Sequence, residues 1–431
     1  YIPSDTNDEG ILKATASGTL PSGQPVVVNA DGTVSVIDQS SATEGLGSAV
    51  AFGPANTSDA VFDSTNNKVA ILYADRNNTN RPTVVIGTVT SGNAISFGTA
   101  VAVDTSQSDF ATMTFDSTNG KIVVAYSSYG DSLHGYAKVG TVSGTSISFG
   151  SATEFQNSTV YEMSSSFDTA SGKVVLVYRN VGNSSYGTAI VGTVSGTSIS
   201  FGTAVVFESA TTRDVDATFD TANGKVVVVY EDNGNSNYGT GIVGTVSGTS
   251  ISFGSPTTYT SARAQANNVV YDSVNGKVVV AFGYDTAETG YAVVGTVSGT
   301  SISFGSIVQF NNAQSTYPKL SYDSAAGKVV IPYRDGGNSG YGTLIVGTVS
   351  GTSISFGSET VFESANSYYC VSAYDSNLGK TVIGYTDDGN SLNGTAIVYQ
   401  VGYSSTNLTS DNFIGIASNG YADTQAATIN A

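Results

Sequence analysis

The residues that could bind or transform a ligand stand mainly in short polar segments between apolar runs. Arg179 and Arg334 occupy equivalent places just after such a run. Several carboxylates fall in the same kind of segment, namely Glu162, Asp214, Glu231 and Asp232. Glycoside hydrolysis needs two carboxylates placed across one bond, and sequence spacing does not pair any of these acids. We therefore predict that the protein is not an enzyme.

Histidine and cysteine are almost absent, which limits catalytic and metal chemistry. The chain has one His, His134, and one Cys, Cys370. A Cys/His zinc site needs several such ligands and is excluded, and a Ser-His-Asp triad would depend on His134 alone. We interpret His134 as a surface residue of a loop and Cys370 as a buried residue at the start of a strand.

Tyrosines that do not recur at equivalent positions are candidates for contact with a sugar. A tyrosine ring can stack on a sugar, and its hydroxyl can form a hydrogen bond. Arginines in the same polar segments complete the candidate set. The predicted ligand-binding residues are Tyr129, Tyr161, Arg179, Arg213, Arg263, Tyr317, Arg334, Tyr368 and Tyr369.

The segments EDNGNSNYG, RDGGNSGYG and TDDGNSLNG are rich in oxygen atoms that could bind calcium. They lack the full residue order of a calcium-binding loop, and the alternative is a turn with Asn and Gly at positive φ. The calcium candidates are Asp232, Asp335, Asp387 and Asp388. Beyond this possible calcium, we predict no cofactor.

The charge balance excludes several classes of partner. The 431 residues include 34 Asp and Glu against 16 Lys and Arg, which gives a net charge of −18. A nucleic-acid-binding protein needs a basic surface, so nucleic acid is excluded as a partner. The longest apolar runs are too short for a membrane-spanning helix.

Internal repetition is the strongest signal in the sequence. GTVSGTSISFG occurs five times, and the motif [FY]-D-[ST]-x-x-G-K places its Asp at intervals of 51 to 53 residues. These Asp residues, including a variant copy with Asn67 in place of Gly, are Asp63, Asp116, Asp168, Asp220, Asp272, Asp323 and Asp375. Each unit is typical of four short strands, and a period near 50 residues is typical of propellers. We predict a loop between the fourth strand of one unit and the first strand of the next, such as ESATTRDVD, and a second strand, such as KVVVVYE, that is covered on both faces. The sequence thus predicts an all-β fold, a seven-bladed β-propeller with four-stranded blades.

The two ends of the repeat region are predicted to share one blade. Residues 44–52 match the pattern of the fourth strand, which the last unit lacks, so they are expected to close the ring and cover its edges. We predict a propeller over residues 44–402 and a small β module from residues 1–43 and 403–431. The tight turns lie on one face, and the segments that vary between repeats form the other, where recognition is expected.

The repeat run GTAIVGTVSGTSISFGTAVVFESA, with FDTANGKVVVVY, resembles repeat-containing β-propeller virion proteins of aquatic bacteriophages, of the tail-fibre or head-fibre type. The flanks TASGTLPSGQPVVVNADGTVSVI and NFIGIASNGYADTQAATI look like segments that border such repeats. The resemblance implies a structural protein on the virion surface or outside the cell. It implies no catalytic residues.

The sequence therefore leads to a non-enzymatic virion appendage whose variable face binds a host-surface glycan. Residues 1–43 and 403–431 are expected to contact other virion proteins and further copies of the chain. One alternative is a subunit of an extracellular or cell-surface filament assembled through terminal strands. A further alternative is a secreted carbohydrate-active enzyme.

Overall fold

The computed structural model of the chain describes residues 11–37, 39–406, 413–417 and 426–430. It divides into two compact units, residues 1–44 with 402–431 and residues 45–401. Strands dominate both units, so the prediction of an all-β fold is confirmed. In the described part of the chain, no helix is both long and apolar enough to cross a membrane.

The larger unit repeats a group of four antiparallel strands, which we call a block. The first strands are Val50–Asp63, Ala111–Asp116, Thr153–Asp168, Val205–Asp220, Thr257–Asp272, Val308–Thr316 with Ser321–Asp323, and Thr360–Asp375. The second strands are Lys68–Asp75, Lys121–Ser128, Lys173–Asn180, Lys225–Asp232, Lys277–Tyr284, Lys328–Asp335 and Lys380–Asp387. The third strands are Arg81–Val89, His134–Ser143, Tyr186–Ser195, Tyr238–Ser247, Thr289–Ser298, Tyr341–Ser350 and Asn393–Gln400. The fourth strands are Ile95–Phe97 with Val101–Ala102, Ser146–Phe149, Ser198–Phe201, Ser250–Phe253, Ser301–Phe304, Ser353–Phe356 and Gly45–Leu46.

The repeated Asp motif makes the turn between the first and second strands. In one copy, Asp220 Oδ1 accepts hydrogen bonds from the backbone N–H groups of Ala222 and Asn223, each at 3.0 Å. Gly224 then takes a positive φ of 60°, a conformation that costs glycine little. In the variant copy Asn67 adopts a φ of 53°, as expected for the residue type that best replaces glycine there.

The second strands are apolar on both faces because each is packed between neighbouring blocks. Val174 and Leu176 belong to a core cluster shared with the preceding block. Val175 and Val177 point to the other face and join a cluster with the following block. Alternate side chains of a strand face opposite sides, so the VVLV run of this strand buries both sets.

The segments predicted as loops between the fourth and first strands are mostly extended strand instead. Residues 208–216, ESATTRDVD, lie within the continuous strand Val205–Asp220. The first half of this strand pairs with the third strand of one block, and its second half pairs with the second strand of the next. A β-bulge between Arg213 and Asp216 interrupts the second of these pairings without ending the strand.

The two ends of the larger unit pair with each other. Asn393–Gln400 runs antiparallel to Gly45–Leu46, with Tyr399 opposite Leu46, and continues along Val50–Asp63. The last block thus receives its outer strand from the N-terminal end of the unit.

The smaller unit combines segments from both ends of the chain. One sheet has the strand order Ile11–Thr15, Ala426–Asn430, Phe413–Ala417, Pro25–Val28 and Val34–Val36. Gln39–Ala42 pairs separately with Tyr403–Thr406. The other parts of the predicted terminal module, residues 1–10, 38, 407–412, 418–425 and 431, lie outside the described residues.

Candidate functional site

In five of the seven blocks, one residue of the first strand, or of the gap within it, adopts an unusual backbone conformation. Positive φ values of 44° to 55° occur at positions about 52 residues apart, namely Glu162, Asp214, Ala266, Tyr317 and Tyr369. Non-glycine residues rarely adopt this conformation, and such residues cluster at functional sites. All of these residues line one cavity.

This cavity, which we call the axial cavity, has a volume of about 520 Å³ and is lined by the first strand of every block or the segment just before it. One side carries the carboxylates Glu162 and Asp214, and the lining also includes the rings of Phe110, Tyr317 and Tyr369. Cavities of this size that combine apolar or aromatic walls with a few polar groups are typical ligand sites.

A second, more polar cavity of about 360 Å³ shares lining residues with the axial cavity. Asp216, which lines it, accepts hydrogen bonds from Ser164 Oγ at 2.6 Å, Asn268 Nδ2 at 2.6 Å and Val269 N at 2.8 Å. Burial raises the pKa of Asp216, and the Lys319 charge and the hydrogen bonds from Ser164 and Val269 oppose the rise. Asn268 Oδ1 accepts in turn from Leu320 N at 2.6 Å. Hydrogen bonds between side chains and backbone therefore join successive blocks around this cavity.

The acidic side of the axial cavity is a network of carboxylates and guanidinium groups. Glu162 Oε1 lies 3.2 Å from Arg179 Nη2, and Glu162 Oε2 accepts a hydrogen bond from Asp214 N at 3.2 Å. Burial raises the pKa of Glu162 to about 7, although the charge of Arg179 acts in the opposite direction. Burial also raises the pKa of Asp214.

Glu231 extends this network away from the cavity lining. It is buried, and its carboxylate lies 3.3 Å from Arg263 Nε. Burial and the charge of Asp214 raise the pKa of Glu231, while Arg263 lowers it. Arg213, which is exposed, stands opposite Glu231 in the strand pairing. The guanidinium groups of Arg213 and Arg263 therefore partly offset the negative charges of Asp214 and Glu231.

The aromatic residues form two groups. The rings of Tyr317 and Tyr369 have their centroids 4.9 Å apart, and Tyr368 lies 6.3 Å from Tyr369. Arg334 lies over the Tyr368 ring at 5.5 Å and donates a hydrogen bond to Asn366 Oδ1 at 2.7 Å. Tyr317 and Tyr369 remain 36% and 40% exposed, unusual for large rings that line a cavity, so their faces are accessible to a ligand.

The second aromatic group borders the acidic side. Arg179 lies over the ring of Tyr161 at 5.1 Å, and Phe110 packs against the same ring at 5.2 Å. The cation–π contact and the ion pair to Glu162 together fix the guanidinium. Tyr129 lies farther out, where its hydroxyl donates to Asp109 Oδ2 at 2.5 Å, and Asp109 lines the cavity.

The structure thus brings most of the predicted ligand-binding residues to one place. Tyr317 and Tyr369 line the axial cavity, while the others stand around it or behind its lining. Sequence spacing could not show that Glu162 and Asp214 are neighbours, but in the structure they line the same side of the cavity. Their equivalence in the 52-residue period was the signal available in the sequence. That a ligand binds there stays a prediction.

The aspartates predicted to bind calcium have structural partners. Asp232 Oδ1 accepts from Gly234 N at 2.9 Å, Asp335 Oδ1 from Gly337 N at 2.9 Å, and Asp387 Oδ1 from Asn390 N at 3.2 Å. Each side chain caps a short 3-10 turn, and Asp388 lies within the last of these turns. The turns, including three without a calcium candidate, are Arg76–Asn78, Tyr129–Asp131, Val181–Asn183, Asn233–Asn235, Gly336–Asn338 and Asp388–Asn390. Capping accounts for the three recurring aspartates, and calcium binding stays a prediction.

The remaining two predictions concern single residues. Cys370 is 2% exposed and lies in the strand Thr360–Asp375, so the prediction of a buried cysteine is confirmed. Burial raises the pKa of its thiol to about 12, which leaves it unreactive. His134, predicted to lie in a loop, is instead the first residue of the strand His134–Ser143, because its backbone pairs with Ser128. It is partly exposed, with Nδ1 3.0 Å from Glu154 Oε1.

Comparison with solved structures finds similar folds. The fold is similar to that of the BP39L lectin from Burkholderia pseudomallei, with a TM-score of 0.63 and 10% sequence identity over 82% of this chain and 98% of that chain. At this level of identity the similarity shows the fold alone. No protein-family model and no curated protein matches the chain.

Proposed function

We propose that the larger unit is a closed seven-bladed β-propeller whose axial cavity binds a glycan. Two observations support the ring: the pairing of Tyr399 with Leu46 at its two ends, and a cavity lined from every block. The single observation that carries glycan binding is the combination, in one cavity, of accessible tyrosine faces with hydrogen-bonding carboxylates. Sugar rings have apolar faces and hydroxyl edges, which such walls complement. The lectin fold of the structural neighbour agrees with this proposal.

The biological setting we propose is a non-enzymatic appendage on a bacteriophage virion, outside the cell, where the glycan belongs to the host surface. The smaller unit, which joins both chain termini in one sheet, is the part that attaches to other virion proteins or to further copies. Several copies on one particle give avidity, so a modest affinity at each site is sufficient. Electron microscopy of the native assembly tests this setting: projecting propellers support it, and a continuous filament contradicts it.

Binding is tested by screening the protein against an array of bacterial surface glycans and titrating the best ligand by calorimetry. We expect Tyr317→Ala and Tyr369→Ala each to weaken binding about tenfold, since each removes one stacking face. Tyr403→Ala is the matched control, because Tyr403 belongs to the smaller unit. Equal affinity for all variants would place the site elsewhere, and an array without any bound glycan would refute the proposal.

A glycoside hydrolase is the second candidate, and the proximity of Glu162 and Asp214 is the observation that favours it. Glycosidases use one carboxyl group with a raised pKa as the acid and a second carboxylate as base or nucleophile. The test is the release of reducing ends from a bound polysaccharide by the intact protein. Release that Glu162→Gln and Asp214→Asn both abolish would establish the enzyme in place of the binding protein.

A further inference from the structure

A side cavity of about 190 Å³ adjoins the axial cavity, with which it shares Asp214, Ala266 and Tyr317. Gln265, Glu288 and Thr316 also belong to its lining. Because the two cavities have lining residues in common, a ligand in the axial cavity can extend one of its substituents or a neighbouring sugar into the side cavity. Thr316 Oγ1 is buried there without a hydrogen-bond partner and so has capacity for one.

The charges of the two cavities differ. In the axial cavity, Arg179 compensates the Glu162 carboxylate, and the cationic lining residue Lys319 interacts with buried Asp216. The side cavity is lined by the carboxylates Asp214 and Glu288 and by no Lys or Arg. Within the described residues neither of these carboxylates forms an ion pair, although burial raises the pKa of Asp214 and the nearby charges of Arg263, Arg213 and Arg179 oppose the rise. Glu288 accepts only a neutral hydrogen bond, from Gln314 Nε2 at 2.8 Å.

An aromatic ring completes this negative site. Tyr317 lines both cavities, and its ring is accessible. A cation beside a tyrosine face is stabilised by the ring quadrupole, and carboxylates without an ion-pair partner form charge-assisted hydrogen bonds with an ammonium group. The net charge of −18 also attracts cations to the molecule.

We propose that the ligand is an oligosaccharide with a free amino group, whose ammonium lies in the side cavity between Asp214 and Glu288 and against Tyr317. This inference rests on the proposed glycan-binding function and names the class of glycan. It also predicts that the affinity falls both at acid and at alkaline pH. Protonation of Asp214, whose pKa is raised by burial, weakens binding at acid pH, and deprotonation of the ligand amine weakens binding at alkaline pH.

The test compares three probes of equal length by calorimetry with the full chain: a chitosan oligosaccharide, the chitin oligosaccharide, and a cello-oligosaccharide. Chitin differs from chitosan by acetylation, which removes the positive charge. We expect chitosan to bind at least tenfold more tightly than either neutral probe. If a neutral probe binds as tightly as chitosan or more tightly, this inference is wrong but the proposed glycan-binding function stands. If none of the three probes binds, both the inference and the proposed function are contradicted for these sugars.

A variant separates charge recognition from a general effect on the cavity. Glu288→Gln keeps the shape and an acceptor but removes the charge, so chitosan affinity should fall about tenfold while affinity for the neutral probes is retained. Asp31→Asn is the matched control, since Asp31 is an exposed carboxylate of the smaller unit and lines neither cavity. The same loss for charged and neutral probes in Glu288→Gln, or an unchanged chitosan affinity, would contradict the proposal.

Discussion

Replacing Glu162 by Gln should change how the stability of the larger unit depends on pH. Burial raises the pKa of the Glu162 carboxyl group from its ordinary value of 4.5 to about 7 in the folded protein. The folded state therefore holds this proton more tightly than the unfolded chain does. The resulting stabilisation is complete below about pH 4.5 and is lost as the pH rises through about 7.

The size of this effect follows from the two pKa values. The difference between 4.5 and about 7 corresponds to about 3 kcal/mol of unfolding free energy. The Glu162 side chain is only 22% exposed, so solvent screening reduces this value modestly. Gln does not titrate. Relative to Glu162→Gln, the wild type should therefore lose about 3 kcal/mol of unfolding free energy between pH 4 and pH 9.

Urea unfolding at several pH values measures this difference. Tyrosine fluorescence reports it directly, because the chain has 25 Tyr and no Trp. Asp388→Asn, which removes an exposed carboxylate from a turn, controls for the loss of one negative charge. A difference that is constant with pH, or that moves in favour of the wild type at pH 9, would refute the assignment of Glu162 as a buried carboxyl with a raised pKa.

Three further predictions concern the scaffold. Asp216→Ala removes the acceptor of three buried donors, so urea unfolding should show a loss of about 3 kcal/mol or more; a loss below about 1 kcal/mol would mean that water replaces the carboxylate. Gly187→Ala places a Cβ 2.5 Å from the Phe207 ring and should lower the free energy of unfolding by about 1–3 kcal/mol. An unchanged urea midpoint would show that the ring moves away at no cost. EDTA should leave the calorimetric melting temperature unchanged, because turn capping already uses the recurring aspartates; a fall of several degrees would establish a bound metal.

The sequence was sufficient for the features that depend on local interactions. Asp220 and Gly224 specify their turn through hydrogen bonds and backbone freedom within five residues, and repetition of this pattern revealed the strand blocks. The VVVV run of the strand Lys225–Asp232 likewise indicated a strand covered on both faces, since an exposed face would select polar residues. In contrast, the continuous strand Val205–Asp220 was predicted as two strands and a loop, because its polar sequence carries no sign of the bulge.

Only the tertiary structure decided which distant residues meet. Glu162 and Asp214 are 52 positions apart, and Tyr317 and Tyr369 are as far apart again, yet all four line one cavity. Their proximity depends on the lateral packing of whole blocks, which no local pattern encodes. The raised pKa of Glu162 has the same origin, because desolvation exists only after neighbouring strands exclude water. The repeat therefore predicted the strand scaffold, whereas the fold alone showed that the residues that differ between repeats lie around the same cavity.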